Sequence, residues 1–442
     1  MTTEHRRLSQ LELACPLAAL PFLIFPSVVS ALALVVLLVP WAVRWRIYGR
    51  PTARTPMDIP ILCLLLMVPV SLWASALPEA SVPKLLGIIL GVAFFYALVN
   101  SVRSNQGLIW VWAALSVAFG VVISCLALVG TDWFTHKLLP LGPVYQRLPR
   151  LIGNVPGSIS GGFHPNEVGG ALALLLPVSV AAMLVGWRSN PGVEAGAITT
   201  VYPIASPAPR TRWARVLLSR KTLVVLTGLW SVLMAGVLIL TQSRSAYMGV
   251  AVGLIVLGAF RRRWILLLLP LLAIVGLVLV WSLGAQSILD GVLMLDTTGT
   301  ANGRFEVWER AIYMLQDFPY TGVGLNTFPY VGDAMYPYFL LGPDARVPHA
   351  HNNLLQVGVD LGIPGAVAYL ALLTTFFVCA WRVFRATKST SIQLLTAGLF
   401  SGMVAHQVYG LSDAITLGAK PGFLLWIILG MVAALYTKRG VV

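Results

Sequence analysis

Three groups of residues in this chain could do chemistry on a charged substrate. Arg244 stands in TQSRSAYMG, where two apolar runs meet with almost no loop between them. Arg304 stands in NGRFEVWERA, and His349 and His351 stand in HAHNN, just after Pro348. A guanidinium presents a planar fork of donors that matches phosphate oxygens. An imidazole, whose ordinary pKa of ~6.5 lies near working pH, can take a proton from an attacking hydroxyl. Arg244 and Arg304, joined by Lys84 or Arg150, would clamp a pyrophosphate, with a histidine beside them as base. Each group also has a plainer reading. An arginine at the end of a membrane span can snorkel to headgroups, and a histidine beside a helix start can make a structural hydrogen bond. In an extended segment two histidines two apart point the same way, so metal binding is a third reading of HAH. No third ligand lies nearby in sequence, and Asp-x-Asp and His-Glu-x-x-His are missing, so no metal is expected. The chain also lacks a P-loop, a dinucleotide-binding glycine fingerprint and a G-x-S-x-G elbow.

The elements that must position these groups are membrane helices. Hydrophobic residues make up 58% of the 442 residues and charged residues 10%, against roughly 25% charged in an ordinary soluble domain. Mean hydropathy is +0.84. This composition excludes a soluble enzyme, a disordered protein and a fibre, and leaves a transporter, a channel or a membrane enzyme. Cys15, Cys63, Cys125 and Cys379 all sit in apolar runs, without zinc or haem spacing. They read as small apolar residues. Arg6 and Arg7 precede an apolar stretch that runs on to Val43, which reads as an uncleaved hairpin rather than a signal peptide.

A bilayer core of ~30 Å needs about 20 apolar residues per helix. Twelve such runs are present: 9–25, 27–43, 59–76, 82–100, 107–129, 166–187, 222–242, 245–260, 264–284, 363–381, 391–412 and 421–437. With both termini in the cytoplasm, all but nine of the 30 Lys and Arg fall on the inner side, as the positive-inside rule requires. The nine are Lys84, Lys137, Arg147, Arg150, Arg244, Arg304, Arg310, Arg346 and Lys420. Basic residues kept outside against that rule point, as a set, to an external anionic ligand. The chain therefore reads as one polytopic domain over 1–442. It has an external loop at 130–165, a cytoplasmic loop at 188–221 and a long external loop at 285–352. No internal repeat is visible, which weighs against a transporter of two inverted halves.

Within the long loop, Phe305, Trp308, Ile312 and Leu315 fall at helical spacing, and Pro319 ends the run. This predicts an amphipathic helix of about 15 residues lying on the membrane surface. TGVGLN (321–326) reads as a flexible turn. The aromatic stretch Phe328, Tyr330, Tyr336, Tyr338 and Phe339 either anchors at the membrane interface or stacks on sugars, and the interface reading is favoured. Asn352 or Asn353 is a natural N-cap for a short helix from Leu354, which Gly362, Pro364 and Gly365 should break before the next span. His351 would then sit beside a helix N-terminus, a place that favours anions.

The order SRSA (243–246), GRFEVW (303–308), PYTGVGLNTF (319–328) and HAHNN…DLGIPG (349–365) resembles the family of O-antigen ligases and O-antigen polymerases. The stretch RLIGNVPGSISGGFHPNEVGG (150–170) is similar too, above all Gly162-Phe163-His164-Pro165-Asn166. The resemblance covers about 150–370. It implies an all-α integral membrane glycosyltransferase of the GT-C type, with about twelve spans and short amphipathic helices in its periplasmic loop. Such a protein moves a glycan from an undecaprenyl-pyrophosphate carrier to an acceptor hydroxyl at the outer face of the bacterial inner membrane. The acceptor is lipid A–core in a ligase and another carrier-linked glycan in a polymerase. By motif position, Arg244 and Arg304 correspond to the family's arginines and His351 to its histidine. His349, Asn352, Asn166 and Arg147 stand as supporting residues. No cofactor is expected beyond the lipid-linked substrate. Membrane lipids and a chain-length regulator are the further partners implied, and nucleic acid is not one. The rival class is a twelve-span transporter or a flippase of lipid-linked glycans. Such proteins place ionisable residues near the bilayer midplane. Here His406 is the clearest such residue, while Asp360 and Asp413 lie near an outer edge.

Overall fold

The computed structural model describes residues 3–24, 31–131, 133, 141–153, 162–188, 220–271, 274, 278, 301–342, 347–415 and 417–437. Among these residues the protein is helical and has no β-strand; a single isolated bridge joins Thr131 to Phe163. In chain order the helices are α1 (Thr3–Ile24), α2 (Ala31–Tyr48), α3 (Asp58–Ala74), α4 (Pro78–Ser104), α5 (Leu108–Gly130), α6 (Gly142–Tyr145), α7 (Pro165–Arg188), α8 (Arg220–Thr241) and α9 (Arg244–Ala259). They continue as α10 (Ala301–Asp317), α11 (Phe328–Met335), α12 (Asn353–Ala386), α13 (Thr390–Tyr409) and α14 (Phe423–Thr437).

Each expected span except 264–284 coincides with a helix. That run falls mostly outside the described residues, as do 189–219, 132, 134–140, 154–161, 285–300 and 343–346 of the three expected long loops. Among the described residues seven helices are long and apolar enough to cross a bilayer, and Asp58–Ala74 and Arg244–Ala259 are apolar but shorter. Their outward surfaces match a lipid environment. Leu32, Val35, Leu229 and Val232 are each at least 60% exposed, whereas a protein in water would bury so many apolar side chains. α14, by contrast, is enclosed over nearly its whole length. Near the N-terminus, α1 and α2 are tied by a buried ion pair between Glu12 and Arg44, 2.6 Å apart, with Ser104 of α4 hydrogen-bonded to the same carboxylate. The fold is thus all-α and membrane-integral.

The segment 301–350, within the long loop, carries its own small core. Val307, Ala311 and Met314 of α10 pack with Phe328 and Val331 of α11 and with Tyr336, Tyr338, Ala350 and Val359. The amphipathic helix forms as expected, and its most buried side chains are not the four at the expected spacing. The face it buries is 307/311/314, against the loop's own core, while Phe305 and Ile312 stay 59% and 44% exposed. Folding the loop back on itself gives that face of the helix a protein partner. The aromatic stretch also divides: Tyr336 and Tyr338 are core residues, while Tyr330 and Phe339 are exposed.

TGVGLN, expected to be flexible, is a locked turn. The Val323 amide donates to the Val359 carbonyl at 2.8 Å, the Leu325 amide to Ser71 Oγ at 3.0 Å, and the Asn326 side-chain amide to the Ala80 carbonyl at 2.9 Å. Gly324, at φ +108°, lies where a Cβ would come within 2.8 Å of Ser75 atoms. The turn clips the long loop to α3 and α4.

α12 is broken as the sequence predicts, with Gly362 at φ 72° and ψ 176° between a short helix and a long one. That conformation is essentially glycine's alone. A Cβ there would also meet the Tyr320 carbonyl at 2.6 Å. Gly362→Ala should therefore cost on the order of 1–3 kcal/mol, read as a lower thermal unfolding midpoint of the detergent-solubilised protein. An unchanged midpoint would show that the break relaxes freely.

Candidate active site

The site is assembled where the start of α12 meets the end of α13. Asn352 caps α12: its side-chain oxygen accepts from the Leu354 and Leu355 amides, both at 3.0 Å. Its other end donates to the Leu411 carbonyl at 3.1 Å. Asn353 completes the lock. Its amide donates to the Gly410 carbonyl at 2.8 Å, and its side-chain oxygen accepts from the Ile415 amide at 2.9 Å. The two asparagines thus staple the turn after α13, residues 410–415, against the histidine loop.

That staple brings Asp413 to the histidines. His351 Nδ1 lies 3.3 Å from Asp413 Oδ1, and His349 Nε2 lies 3.8 Å from the same oxygen. Asp413 is 1% exposed. Burial alone would push its carboxyl up. The His351 hydrogen bond and the charges of His351, His349 and Arg304 outweigh that and hold it well below the usual carboxylate range. Burial pushes His349 down to about 3, helped by the charge of His351 and opposed by Asp413. Its Nδ1 accepts the His351 amide at 3.2 Å, so its remaining nitrogen faces the carboxylate. His351 is held in the left-handed region, at φ 46°, a conformation costly for a side chain bearing a Cβ and concentrated at functional sites. Its carbonyl accepts the Trp308 indole N–H of α10 at 3.3 Å.

A buried relay fixes the loop from behind. The Ala350 amide donates to Gln356 Oε1 at 2.7 Å, and Gln356 Nε2 donates to Asp360 Oδ1 at 2.9 Å. Lys84 Nζ of α4 stands 4.0 Å from the other Asp360 oxygen. The charge of Lys84, read from the sequence as a phosphate ligand, is therefore already matched by Asp360, though it also reaches His349.

The other expected residues fall into two sets. Arg304 on α10 is half-buried, its Nε is buried without a hydrogen-bond partner, and its charge reaches Asp413. Arg244 is half-buried at the first turn of α9, just after Gln242, whose φ is 47°. Asn166 is buried at the start of α7, where its carbonyl accepts the Tyr409 hydroxyl at 3.0 Å. His164 Nδ1 accepts the Asn166 amide at 3.3 Å, and its charge reaches His349. Arg147 and Arg150 are exposed beyond α6, which Tyr145 anchors to the Leu240 carbonyl at 2.8 Å and to Gln242 at 2.6 Å.

Sequence reasoning missed Asp413 as a site residue, along with Gln356, Asn353 and Glu167. Glu167 lies close enough to Lys420, Asp413 and Lys84 to feel their charges. The third metal ligand that the sequence lacked nearby is supplied by the fold, since donor atoms of His349, His351 and Asp413 lie within 4.8 Å of one another. The three could hold an ion. They equally form an aspartate–histidine pair in which Asp413 takes the Nδ1–H and leaves Nε2 of His351 as an acceptor.

Residues 229–370 match the family profile described as O-antigen ligase. Over that segment, about a third of its length, the chain is similar to O-antigen ligases. A relative from Pseudomonas aeruginosa described as "O-antigen ligase" is 26% identical over 280 residues, covering 60% of this chain and 63% of the relative. The chain thus spans rather less than two thirds of that relative's length. The segment matching O-antigen ligases contains Arg244, Arg304, His349 and His351. Lys84, Arg147, Arg150, Asn166 and Asp413 lie outside it.

Proposed function

We propose that this protein transfers a glycan from undecaprenyl pyrophosphate to an acceptor sugar hydroxyl, in the manner of an O-antigen ligase or polymerase. The reaction takes place at the outer face of the bacterial inner membrane. The observation that carries the reading is the His351–Asp413 pair, set beside the charge of Arg304, in a chain whose histidine and arginine segments match O-antigen ligases. Asp413 orients the imidazole with its proton on Nδ1. Nε2 of His351 takes the proton of the acceptor hydroxyl as its oxygen attacks the anomeric carbon. The carbon–oxygen bond to the pyrophosphate breaks, and Arg244 and Arg304 stabilise the charge on the departing carrier. A single displacement inverts the anomeric configuration. His349 serves as support, because one of its nitrogens accepts a backbone amide and the other faces Asp413. The relative's description favours a ligase, with lipid A–core as acceptor, over a polymerase. The transporter and flippase reading has less support, since the charged groups gather around the ends of helices that meet the external loop.

The arginines provide the test. A charged hydrogen bond is worth about 1.5–3 kcal/mol, so Arg244→Ala and Arg304→Ala should each lower transfer roughly ten- to hundred-fold. Lysine should restore only part, since it offers a point charge rather than a fork. Transfer by purified protein from a defined lipid-linked donor, with and without a chelator, measures both points. Wild-type rates in both alanine variants would remove the pyrophosphate clamp. Loss of transfer on chelation, restored by a divalent ion, would turn the histidine–aspartate cluster into a metal site.

A further inference from the structure

We propose that a groove on the outward face of α10 binds a sugar ring of the glycan next to the one that reacts. The groove has a volume of about 570 Å³ and is lined by Phe305, Glu306, Glu309, Arg310, Phe339 and Leu340. Two aromatic rings stand open in it, Phe305 at 59% and Phe339 at 77% exposure. Phe339 is not a loose tip. The Glu306 carboxylate, itself buried, accepts the amides of Phe339 at 2.5 Å and of Leu340 and Leu341 at 3.1 Å, which fixes the segment on α10. Arg310 donates to the Pro337 carbonyl at 3.1 Å, lies 3.7 Å from both Glu306 and Glu309, and sits 5.3 Å from the Phe339 ring centre. The Glu309 carboxylate is 52% exposed.

A pyranose fits this set of groups. Its C–H face packs on an aromatic ring, and its hydroxyls pair with a planar carboxylate and guanidinium. A lipid tail fits poorly, since Glu306, Glu309 and Arg310 line the same groove and charges in hydrocarbon are costly. One side chain links the groove to the histidine loop: the Phe305 ring centre is 5.5 Å from that of Trp308, whose indole donates to the His351 carbonyl. The inference rests on the glycan-transfer reading. Donor and acceptor glycans offer the same chemistry, so the experiment must separate them.

Phe305→Ala and Phe339→Ala remove exposed rings and should leave the fold intact, checked by the thermal midpoint. Saturation-transfer NMR on the full-length protein in detergent uses two probes: oligosaccharide released from the lipid-linked donor, and delipidated core oligosaccharide. Transfer kinetics are run alongside with each substrate varied. One probe should bind the wild type and weaken roughly three- to tenfold in the variants. KM should rise for the same substrate with kcat nearly constant, and which substrate it is names the glycan in the groove. Unchanged binding and KM would overturn the proposal. So would a loss seen in bilayers and absent in detergent, which would make the rings membrane anchors. Because the NMR measurement needs no turnover, it judges the groove even if the transfer reading fails.

Discussion

His351→Ala should lower the rate of glycan transfer by about 10²–10⁴-fold, the range a positioned general base contributes, while binding of the carrier lipid stays near wild type. The split follows from the division of labour in the site: arginines hold the pyrophosphate and the imidazole handles the proton. His349→Ala should be far milder, and the structure supplies a reason that its place in the motif does not. One His349 nitrogen accepts the His351 amide and the other faces Asp413, so no lone pair is left for a substrate. Burial holds His349 down at about 3, and Asp413 is held well below the usual carboxylate range. In the working range His349 therefore stays neutral and Asp413 stays ionised. Neither of these two groups changes charge in that range, so neither accounts for a pH dependence of turnover there. Wild-type turnover in purified His351→Ala, or loss of carrier binding in place of turnover, would remove the base assignment.

The parts of this site that were legible in the sequence were local. Asn352 caps α12 because a short acceptor side chain before LLQ can reach two free amides. Gly362 breaks α12 because only glycine takes its backbone angles. Arg304 rides a helix whose end Pro319 marks. What was not legible depends on contacts between distant segments. Asp413 follows His351 by 62 residues, and an acid at the end of a span reads as an ordinary solvated group. Its role appears only once Asn353 and Gly410 interlock. On α10 the spacing favours Phe305, Trp308, Ile312 and Leu315; Leu315 does pack on the loop core, but Phe305 and Ile312 stay exposed and Val307, Ala311 and Met314 are buried instead. TGVGLN looked flexible because glycines permit motion. In the fold they permit contact with α3 and α4. Lys84 looked like a lone external cation because Asp360, which answers it, lies 276 positions further along the chain.

The second large effect should come from that distant carboxylate. Asp413→Asn keeps the volume of the side chain and an oxygen for the Ala414 amide, which Asp413 Oδ1 accepts at 2.9 Å, so the fold should persist. It loses the charge that faces the imidazole. The bonds to Ala414 and to His351 both use Oδ1, so turning the NH₂ toward Nδ1 of His351 would give up the Ala414 amide, and it would place the ring proton on Nε2, the nitrogen needed as acceptor. Loss of orientation and of charge stabilisation together should cost about 10²–10⁴-fold in turnover. KM for the lipid-linked donor should hold, because the arginines are untouched. A purely structural role for Asp413 predicts a different pattern, with a lower thermal midpoint and weaker donor binding alongside the lost rate. The downfield proton resonance of a histidine Nδ1–H bonded to a carboxylate offers a direct view. It should be present in the wild type and disappear in both Asp413→Asn and His351→Ala. A variant that keeps wild-type turnover would separate Asp413 from the chemistry. The buried carboxylate would then be left as a fastener between α12 and α13, and His351 would have to be oriented by the backbone and Trp308 alone.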